Sequence, residues 1–326
     1  MVEGKSRKEA EEEVLRLLIS GPKKTKEQYK NLGVITIILE GILDHQTFTK
    51  IKKKGLKVLN IQSIHGLFKI HNIDNETQRL VNNRSLVRKF TKEMNKEGLP
   101  TIGILDMDYD GIGKLLGRKV KLDKNILTTS ESTDIETLLI SLIYQRKKEE
   151  TFFENIDDSI HLCRNLGLVR CAIERMKKNG NGKFKQSQIK ELFPKFHDYK
   201  NGKIKNENFL DAKKRHYESS SSVEKIIQTL VERDDLSIET KREITESASY
   251  VKNLIEDRLN DVESQWSFYI RGHDLEWFIC DKNKFNGSKF RDSLTKFVKY
   301  DDIKIHSMFQ SLDKWRIENN VPELFA

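Results

Sequence analysis

The sequence predicts an α/β protein in which a parallel sheet flanked by helices is followed by a mainly helical C-terminal part. Three strand-like segments, at residues 34–39, 56–61 and 101–105, alternate along the chain with stretches of helical periodicity. Such alternation is typical of a parallel sheet with right-handed crossovers. The chain also has only 4 prolines in 326 residues, which favours long helices over an all-β fold.

Each element has its own signal in the sequence. Val34–Leu39 is a nearly continuous β-branched run, which indicates a strand buried on both faces. A helical pattern over residues 76–97 ends at Gly98-Leu99-Pro100, a typical helix stop. Up to residue 128 the predicted elements are, in order, a helix over 7–19, a strand over 34–39, a helix over 45–54, a strand over 56–61, a helix over 76–97, and strands over 101–105 and 125–128.

From about residue 133 the pattern is mostly helical. Helices are predicted near 138–143, over 158–177, and after the polar run Ser219–Ser222. We therefore divide the chain into an N-terminal helical segment (1–30), an α/β catalytic domain (31–150) and a mainly helical domain (151–326).

Composition narrows the possible partners and the compartment. There are 59 Lys and Arg against 50 Asp and Glu, a formal net charge of +9 that favours polyanionic partners such as nucleic acid. No stretch approaches the roughly 18 apolar residues of a membrane-spanning helix. The N-terminus has no secretory pattern, and the 3 cysteines have no CxxC spacing. We expect reduced thiols and a cytoplasmic location.

Acidic residues follow two of the predicted strands. Glu40 ends the first strand, and Asp106, Asp108 and Asp110 follow the third. Ligands of open parallel sheets bind outside the carboxyl ends of the strands, so pairing of these two strands would gather the carboxylates in one crevice. Closely packed carboxylates repel unless a cation joins them, and Mg²⁺ or Mn²⁺ is the simplest choice.

Structural explanations compete with this interpretation. Asp106 to Gly111 is also a plausible turn, and Asp44 is a plausible cap of the helix that begins near residue 45. Thr133 and Glu136 have the spacing of a capping box at the start of the next helix.

The acidic motifs together resemble the Toprim-like catalytic core. More specifically, they resemble a Toprim-like family of unknown function that is related to OLD-type nucleases and includes the effector nucleases of PARIS-type anti-phage systems. The resemblance rests on the segments Glu40-Gly41-x-x-Asp44, Asp106-x-Asp108-x-Asp110, Thr133-Asp134-x-Glu136 and, near the C-terminus, Arg271-Gly272-His273-Asp274-Leu275.

The resemblance implies divalent-metal-dependent cleavage of phosphodiester bonds. Glu40 would act as a metal ligand or general acid/base, and Asp106 and Asp108 would hold metal. Asp44 would be a supporting ligand, Asp110 an auxiliary acid, and Asp134 and Glu136 candidate ligands of a second metal. No lysine is placed by these motifs near the acids.

His273 has two interpretations. As part of Gly272-His273-Asp274 it is a plausible helix cap. If its ring faces the acidic crevice, it is instead a catalytic residue that transfers a proton near neutral pH.

Basic residues follow the acidic loop and are predicted to contact the substrate. Arg118, Lys119, Lys121 and Lys124 would neutralise phosphates near an acidic site that otherwise repels them. No zinc finger, RRM signature or recognition helix is evident, so we expect no reading of base sequence.

The leading hypothesis is therefore a Mg²⁺- or Mn²⁺-dependent nuclease that acts on RNA, such as tRNA, or on DNA. The family analogy implies a toxic anti-phage effector that an ABC/SMC-like ATPase partner holds inactive, with a homodimer as one possible active form. No P-loop is present, so ATP hydrolysis would belong to the partner. Two alternatives remain open, a haloacid-dehalogenase-like phosphatase or phosphotransferase, and a non-catalytic adaptor that binds a partner.

Overall fold

The computed structural model describes most of the chain, which divides into two compact units. Unit 1 consists of Met1–Asp106, Lys121–Ser130 and Thr295–Ala326, and unit 2 consists of Met107–Val120 and Glu131–Leu294. The described residues are 6–325 except for 21–22, 54–55, 57, 109–122, 130–131, 146–155, 180–198, 201–202, 205–213, 215, 234–235, 260–265, 284–286 and 298–299.

The described elements are numbered along the chain. The strands are β1 (Ile35–Leu39), β2 (Leu59–Ser63), β3 (Thr101–Leu105), β4 (Ile126–Thr128), β5 (Tyr199–Lys200) and β6 (Lys203–Ile204). The helices are α1 (Arg7–Ile19), α2 (Lys23–Asn31), α3 (Ile42–Ile51), α4 (Ile64–Ile70), α5 (Asn75–Leu80), α6 (Asn83–Lys96), α7 (Ile135–Gln145), α8 (Ile156–Lys178), α9 (Val223–Arg233), α10 (Ile238–Leu259), α11 (Gly272–Asn283), α12 (Gly287–Phe297), α13 (Tyr300–Ile303) and α14 (Ser307–Glu318).

Unit 1 is built on a parallel sheet with the strand order β2-β1-β3-β4. β1 and β3 are its two central strands, and every residue of both is buried. Their apolar side chains have packing partners on both faces, which explains why they read as continuous apolar runs. In the register of this pair Leu39 lies opposite Ile104, so the carboxyl ends of the two strands are neighbours.

Helices α1 and α6 pack together in unit 1 and cover one face of the sheet. Ala10, Val14 and Leu18 of α1 share a buried cluster with residues of α6 and with Ile38 of β1 and Leu105 of β3. The start of α1 is fixed by a capping box, in which Ser6 Oγ accepts from the backbone N–H of Glu9 and the Glu9 side chain accepts from that of Ser6.

The C-terminal segment belongs to unit 1. Phe309 of α14 stacks on Phe48 of α3 with ring centroids 5.5 Å apart, and Lys52 forms an antiparallel bridge with Phe325. Trp315 Nε1 donates to Asn125 Oδ1 at 3.1 Å, just before β4. These contacts attach residues near the end of the chain to the sheet that its first half forms.

Unit 2 is mainly helical. α8, α9 and α10 pack against one another, and α11 packs on both α7 and α8. β5 and β6 form a separate antiparallel pair. Within this core, the Arg170 guanidinium of α8 binds the Asp274 carboxylate of α11 through two hydrogen bonds of 2.7 and 2.8 Å.

The predicted fold class is confirmed, because a four-stranded parallel sheet flanked by helices precedes a helical part. The single helix predicted over 76–97 is wrong. The structure has α5 and α6 there, separated by extended Val81 and by Asn82, whose side chain caps α6 by accepting from the N–H of Ser85 at 3.0 Å. The two compact units do not begin or end near residues 30 and 150, where the sequence predicts domain boundaries. The predicted boundaries stay predictions.

The lengths and compositions of the helices can be compared with those of a membrane-spanning helix. Among the described residues, no helix is both long enough and apolar enough to span a bilayer.

Candidate active site

The carboxyl ends of β1 and β3 bring two of the predicted catalytic acids together in unit 1. Glu40 directly follows β1 and Asp106 directly follows β3, and both residues are half-buried. The backbone N–H of Asp106 donates to Oε1 of Glu40 at 3.1 Å. The Glu40 carboxylate therefore lies beside Asp106, as expected from pairing of the two strands.

Asp44 has a structural role at the start of α3. Its side chain is buried, and Oδ2 accepts a hydrogen bond from the backbone N–H of Gly41 at 2.9 Å. The carboxylate thus satisfies an N–H group that the helix leaves unpaired. The predicted cap position is wrong, because α3 begins at Ile42 and not near residue 45, so Asp44 satisfies the start of the helix from within its first turn. Its role as a supporting metal ligand stays a prediction.

Glu40 and Asp106 are chemically suited to a hard divalent cation. Mg²⁺ is usually bound through one or two carboxylates and keeps several waters, which substrate phosphates can replace. Among the described residues there is no group of three or more His, Cys, Asp or Glu side chains arranged around a metal position. Asp110 lies outside the described residues. The chemistry of the Glu40 and Asp106 carboxylates fits Mg²⁺.

Asp134 in unit 2 is the N-cap of α7 and also holds the start of α11. Its Oδ1 accepts from the N–H and hydroxyl of Thr137 at 2.9 and 2.6 Å. The N–H of Gly272 lies 3.1 Å from Oδ1 and 2.9 Å from Oδ2. The predicted capping box of Thr133 and Glu136 is wrong, because the Thr133 N–H, from which Glu136 would accept, donates to the Ser267 carbonyl, and the Thr133 hydroxyl donates to the carbonyl of Ile270. A metal at Asp134 would compete with these contacts, and that role stays a prediction.

Gly272 is required by close packing within unit 2. A Cβ atom there would lie 2.2 Å from Cβ of Glu136 and 2.5 Å from Oδ1 of Asp134. Helix α11 begins at this residue and is pressed against the first turn of α7. The glycine of the Gly-His-Asp segment is therefore explained by packing.

His273 lies in the first turn of α11 among carboxylates of unit 2. Nδ1 is 3.4 Å from Oε2 of Glu276 and 4.0 Å from Oε1 of Glu136. The hydrogen bond to Glu276, together with the charges of Glu136 and Asp134, raises the pKa of His273 above its ordinary value. Its side chain is 59% exposed, so the ring is accessible as a proton donor. The catalytic role of His273 and the metal role of Glu136 stay predictions.

Asp274 is part of the core of unit 2. Its two oxygens bind Nε and Nη2 of Arg170 at 2.7 and 2.8 Å, and both side chains are buried. Bidentate arginine–carboxylate pairs fix orientation as well as charge. The aspartate of the Gly-His-Asp segment thus anchors α11 to α8.

Asp108 is held in an unusual backbone conformation in unit 2. Its φ angle is +48°, a left-handed value that aspartate tolerates better than most residues. The Asp108 N–H donates to the Thr133 carbonyl at 2.6 Å, and Oδ1 lies 3.7 Å from Nη2 of Arg271. Its predicted role as a catalytic metal ligand stays a prediction.

The predicted substrate patch is only partly described. Arg118, Lys119 and Lys121 lie outside the described residues. Lys124 is exposed and precedes β4, which runs parallel to β3. It therefore lies at the amino edge of the sheet, whereas Glu40 and Asp106 lie at the carboxyl edge. Its contact with substrate stays a prediction.

Several residues around the Gly-His-Asp segment were not predicted from the sequence. Glu276 is three residues after His273, a spacing at which helical side chains meet, so a local signal existed. Arg271 belongs to the Arg271-Gly272-His273-Asp274-Leu275 segment, but the sequence predicts no role for it. Arg170 is 104 residues from Asp274 and has no local signal.

The chain matches no protein-family model and no curated protein. The family resemblance therefore rests on the sequence motifs alone.

Proposed function

We propose that the protein is a Mg²⁺- or Mn²⁺-dependent nuclease with Glu40 and Asp106 at the centre of its active site. One observation supports this most strongly: the parallel pairing of β1 and β3 sets the Glu40 carboxylate within 3.1 Å of the Asp106 backbone N–H. Ligand sites of open α/β sheets lie at this edge.

The proposal gives these residues definite tasks. Glu40 and Asp106 hold the divalent cation through their oxygens, and the Asp106 N–H fixes the orientation of Glu40. A bound divalent metal polarises a phosphoryl oxygen and lowers the pKa of a bound water. Asp108, Asp110, Asp134 and Glu136 retain the roles that the family resemblance implies, and His273 retains its predicted role in proton transfer.

The biological setting is also part of the proposal and rests on the resemblance to AriB-type effectors of PARIS-type systems. The protein would be a cytoplasmic anti-phage toxin, kept inactive by an ABC/SMC-like ATPase and released to cleave RNA, such as tRNA, or DNA. The excess of 59 Lys and Arg over 50 Asp and Glu supports a polyanionic substrate. Since the ATPase restrains the effector, the isolated chain is expected to be active.

The test is cleavage of total tRNA, other RNA and plasmid DNA by the isolated protein, with Mg²⁺, with Mn²⁺ and with EDTA. Wild type is compared with Glu40→Gln, which keeps an oxygen able to accept from the Asp106 N–H, and with Asp106→Asn. Glu93→Gln is the matched control in unit 1, since Glu93 pairs with Lys96 on α6.

The expected result is metal-dependent cleavage that the Glu40 and Asp106 variants lose and the Glu93 variant keeps. Equal activity of Glu40→Gln and wild type, or cleavage that persists in EDTA, would contradict the proposal. If wild type cleaves no nucleic acid but hydrolyses small phosphate esters, the phosphatase alternative replaces it.

A further inference from the structure

Arg271 occupies the start of helix α11 in unit 2. Its carbonyl accepts the first helical hydrogen bonds, from the N–H groups of Asp274 and Leu275 at 3.0 and 3.2 Å. Its side chain is 31% exposed, and Nη2 lies 3.7 Å from Oδ1 of Asp108, which is 40% exposed. The guanidinium is therefore both held by a carboxylate and reachable from solvent.

The backbone that carries Arg271 is tied firmly to the start of α7. The N–H of Thr133 donates to the Ser267 carbonyl at 2.9 Å, and the hydroxyls of Thr133 and Thr137 both contact the Ile270 carbonyl. The N–H of Gly272 is held by Asp134. Residues on both sides of Arg271 are thus fixed, which restricts where its guanidinium can lie.

The charges around Arg271 explain what it offers to a ligand. Asp108, Asp134, Glu136 and Glu276 are acids of this part of unit 2, and they repel a phosphate group that approaches them. A guanidinium has five N–H donors in a planar fork, more than the two oxygens of one carboxylate can accept at once. Because the Arg271 side chain is partly exposed, a phosphate oxygen can reach its guanidinium without displacing the contact with Asp108.

We propose that Arg271 binds a non-bridging phosphate oxygen of the nucleic-acid backbone, with Asp108 orienting its guanidinium. This inference rests on the proposed function, because it identifies a phosphate contact of the same enzyme. The contact is with the sugar-phosphate backbone, so it is independent of base sequence.

The test is binding of short fluorescein-labelled RNA and DNA oligonucleotides, measured by anisotropy in EDTA so that metal-dependent cleavage does not interfere. Wild type is compared with Arg271→Gln and Arg271→Lys between about 50 and 200 mM salt. The matched control is Arg242→Gln, because Arg242 is an exposed arginine of unit 2 whose Nε lies 3.7 Å from a Glu246 oxygen. Thermal unfolding of each variant checks that it folds.

Loss of one phosphate contact is expected to weaken binding about tenfold in the Gln variant and to reduce the slope of log K against log salt by about 1. The Lys variant keeps the charge and should keep most of the slope, whereas a purely structural role would leave the slope unchanged. The Arg242 variant should bind like wild type. The RNA and DNA arms show which backbone is preferred.

Equal affinities and salt slopes for wild type, Arg271→Gln and Arg242→Gln would overturn this inference. Such a result leaves the proposed function intact if wild type still cleaves with metal. Absence of any binding by wild type would overturn the inference as well, whereas failure of metal-dependent cleavage alone counts against the nuclease and not against phosphate binding by Arg271.

Discussion

The ion pair between Arg170 and Asp274 is expected to be highly sensitive to mutation. The side chains are 3% and 6% exposed, and two hydrogen bonds of 2.7 and 2.8 Å join them. Replacing Asp274 by Ala leaves the guanidinium buried without this carboxylate. Removing one partner of a buried pair costs about 3–5 kcal/mol, and we expect a loss of that size in the free energy of unfolding.

A double-mutant cycle tests the physical reason for this loss. Urea unfolding, followed by circular dichroism, is measured for wild type, Asp274→Leu, Arg170→Met and the double variant. The double variant buries neither charge of this pair, so its loss should be clearly smaller than the sum of the two single losses.

The exposed pair Arg242 and Glu246 provides the control for the cycle. These side chains are 70% and 68% exposed, so Glu246→Leu should cost less than about 1 kcal/mol. If Asp274→Leu is as stable as Glu246→Leu, or if the two single losses in the buried pair simply add, burial of an unpaired charge is not the cause of the loss.

Three further predictions concern stability. Burial lowers the pKa of His216 to about 4, so between about pH 6.5 and 4 the unfolded chain takes up a proton that the folded protein does not. In urea unfolding, the free energy of unfolding of wild type should therefore fall by about 3 kcal/mol more than that of His216→Phe between pH 7 and 4. Equal losses would contradict this. Gly272→Ala should destabilise the protein by at least about 1–3 kcal/mol in the same assay, because the added Cβ would lie 2.2 Å from Cβ of Glu136. An unchanged urea midpoint would refute that packing. Asp44→Ala removes the acceptor of the Gly41 N–H and should cost about 1 kcal/mol of stability. Asp44→Asn keeps an acceptor oxygen and should cost less. Equal costs of the two variants would count against the cap.

Local patterns predicted the sheet because the information lies within each segment. The β-branched run before Glu40 and the apolar run before Asp106 need burial on both faces, which only central strands of the sheet provide. Their pairing then determines that Glu40 and Asp106 are neighbours. The break between α5 and α6 was not predicted because it spans only two residues, Val81 in extended conformation and Asn82, whose side chain caps α6.

Contacts between distant parts of the sequence could not be predicted in this way. Asp134 has the local spacing of a helix cap, but its bond to the Gly272 N–H joins residues 138 positions apart. Likewise, nothing near Asp274 in the sequence indicates that Arg170 neutralises it. Acids that look alike in sequence thus have different surroundings, since Asp274 and Asp134 hold helices together while Glu40 lies half-buried at the sheet edge.

The most direct test of the central claim is a Mg²⁺ titration of cleavage rate for wild type and Glu40→Gln on the same nucleic acid, starting from metal-free protein. We expect no wild-type cleavage without metal, a rate that rises and saturates with Mg²⁺, and no cleavage by Glu40→Gln at Mg²⁺ levels that saturate wild type. A wild-type rate that is independent of Mg²⁺, or a Glu40→Gln curve that coincides with that of wild type, would rule out Glu40 as a ligand of a catalytic metal.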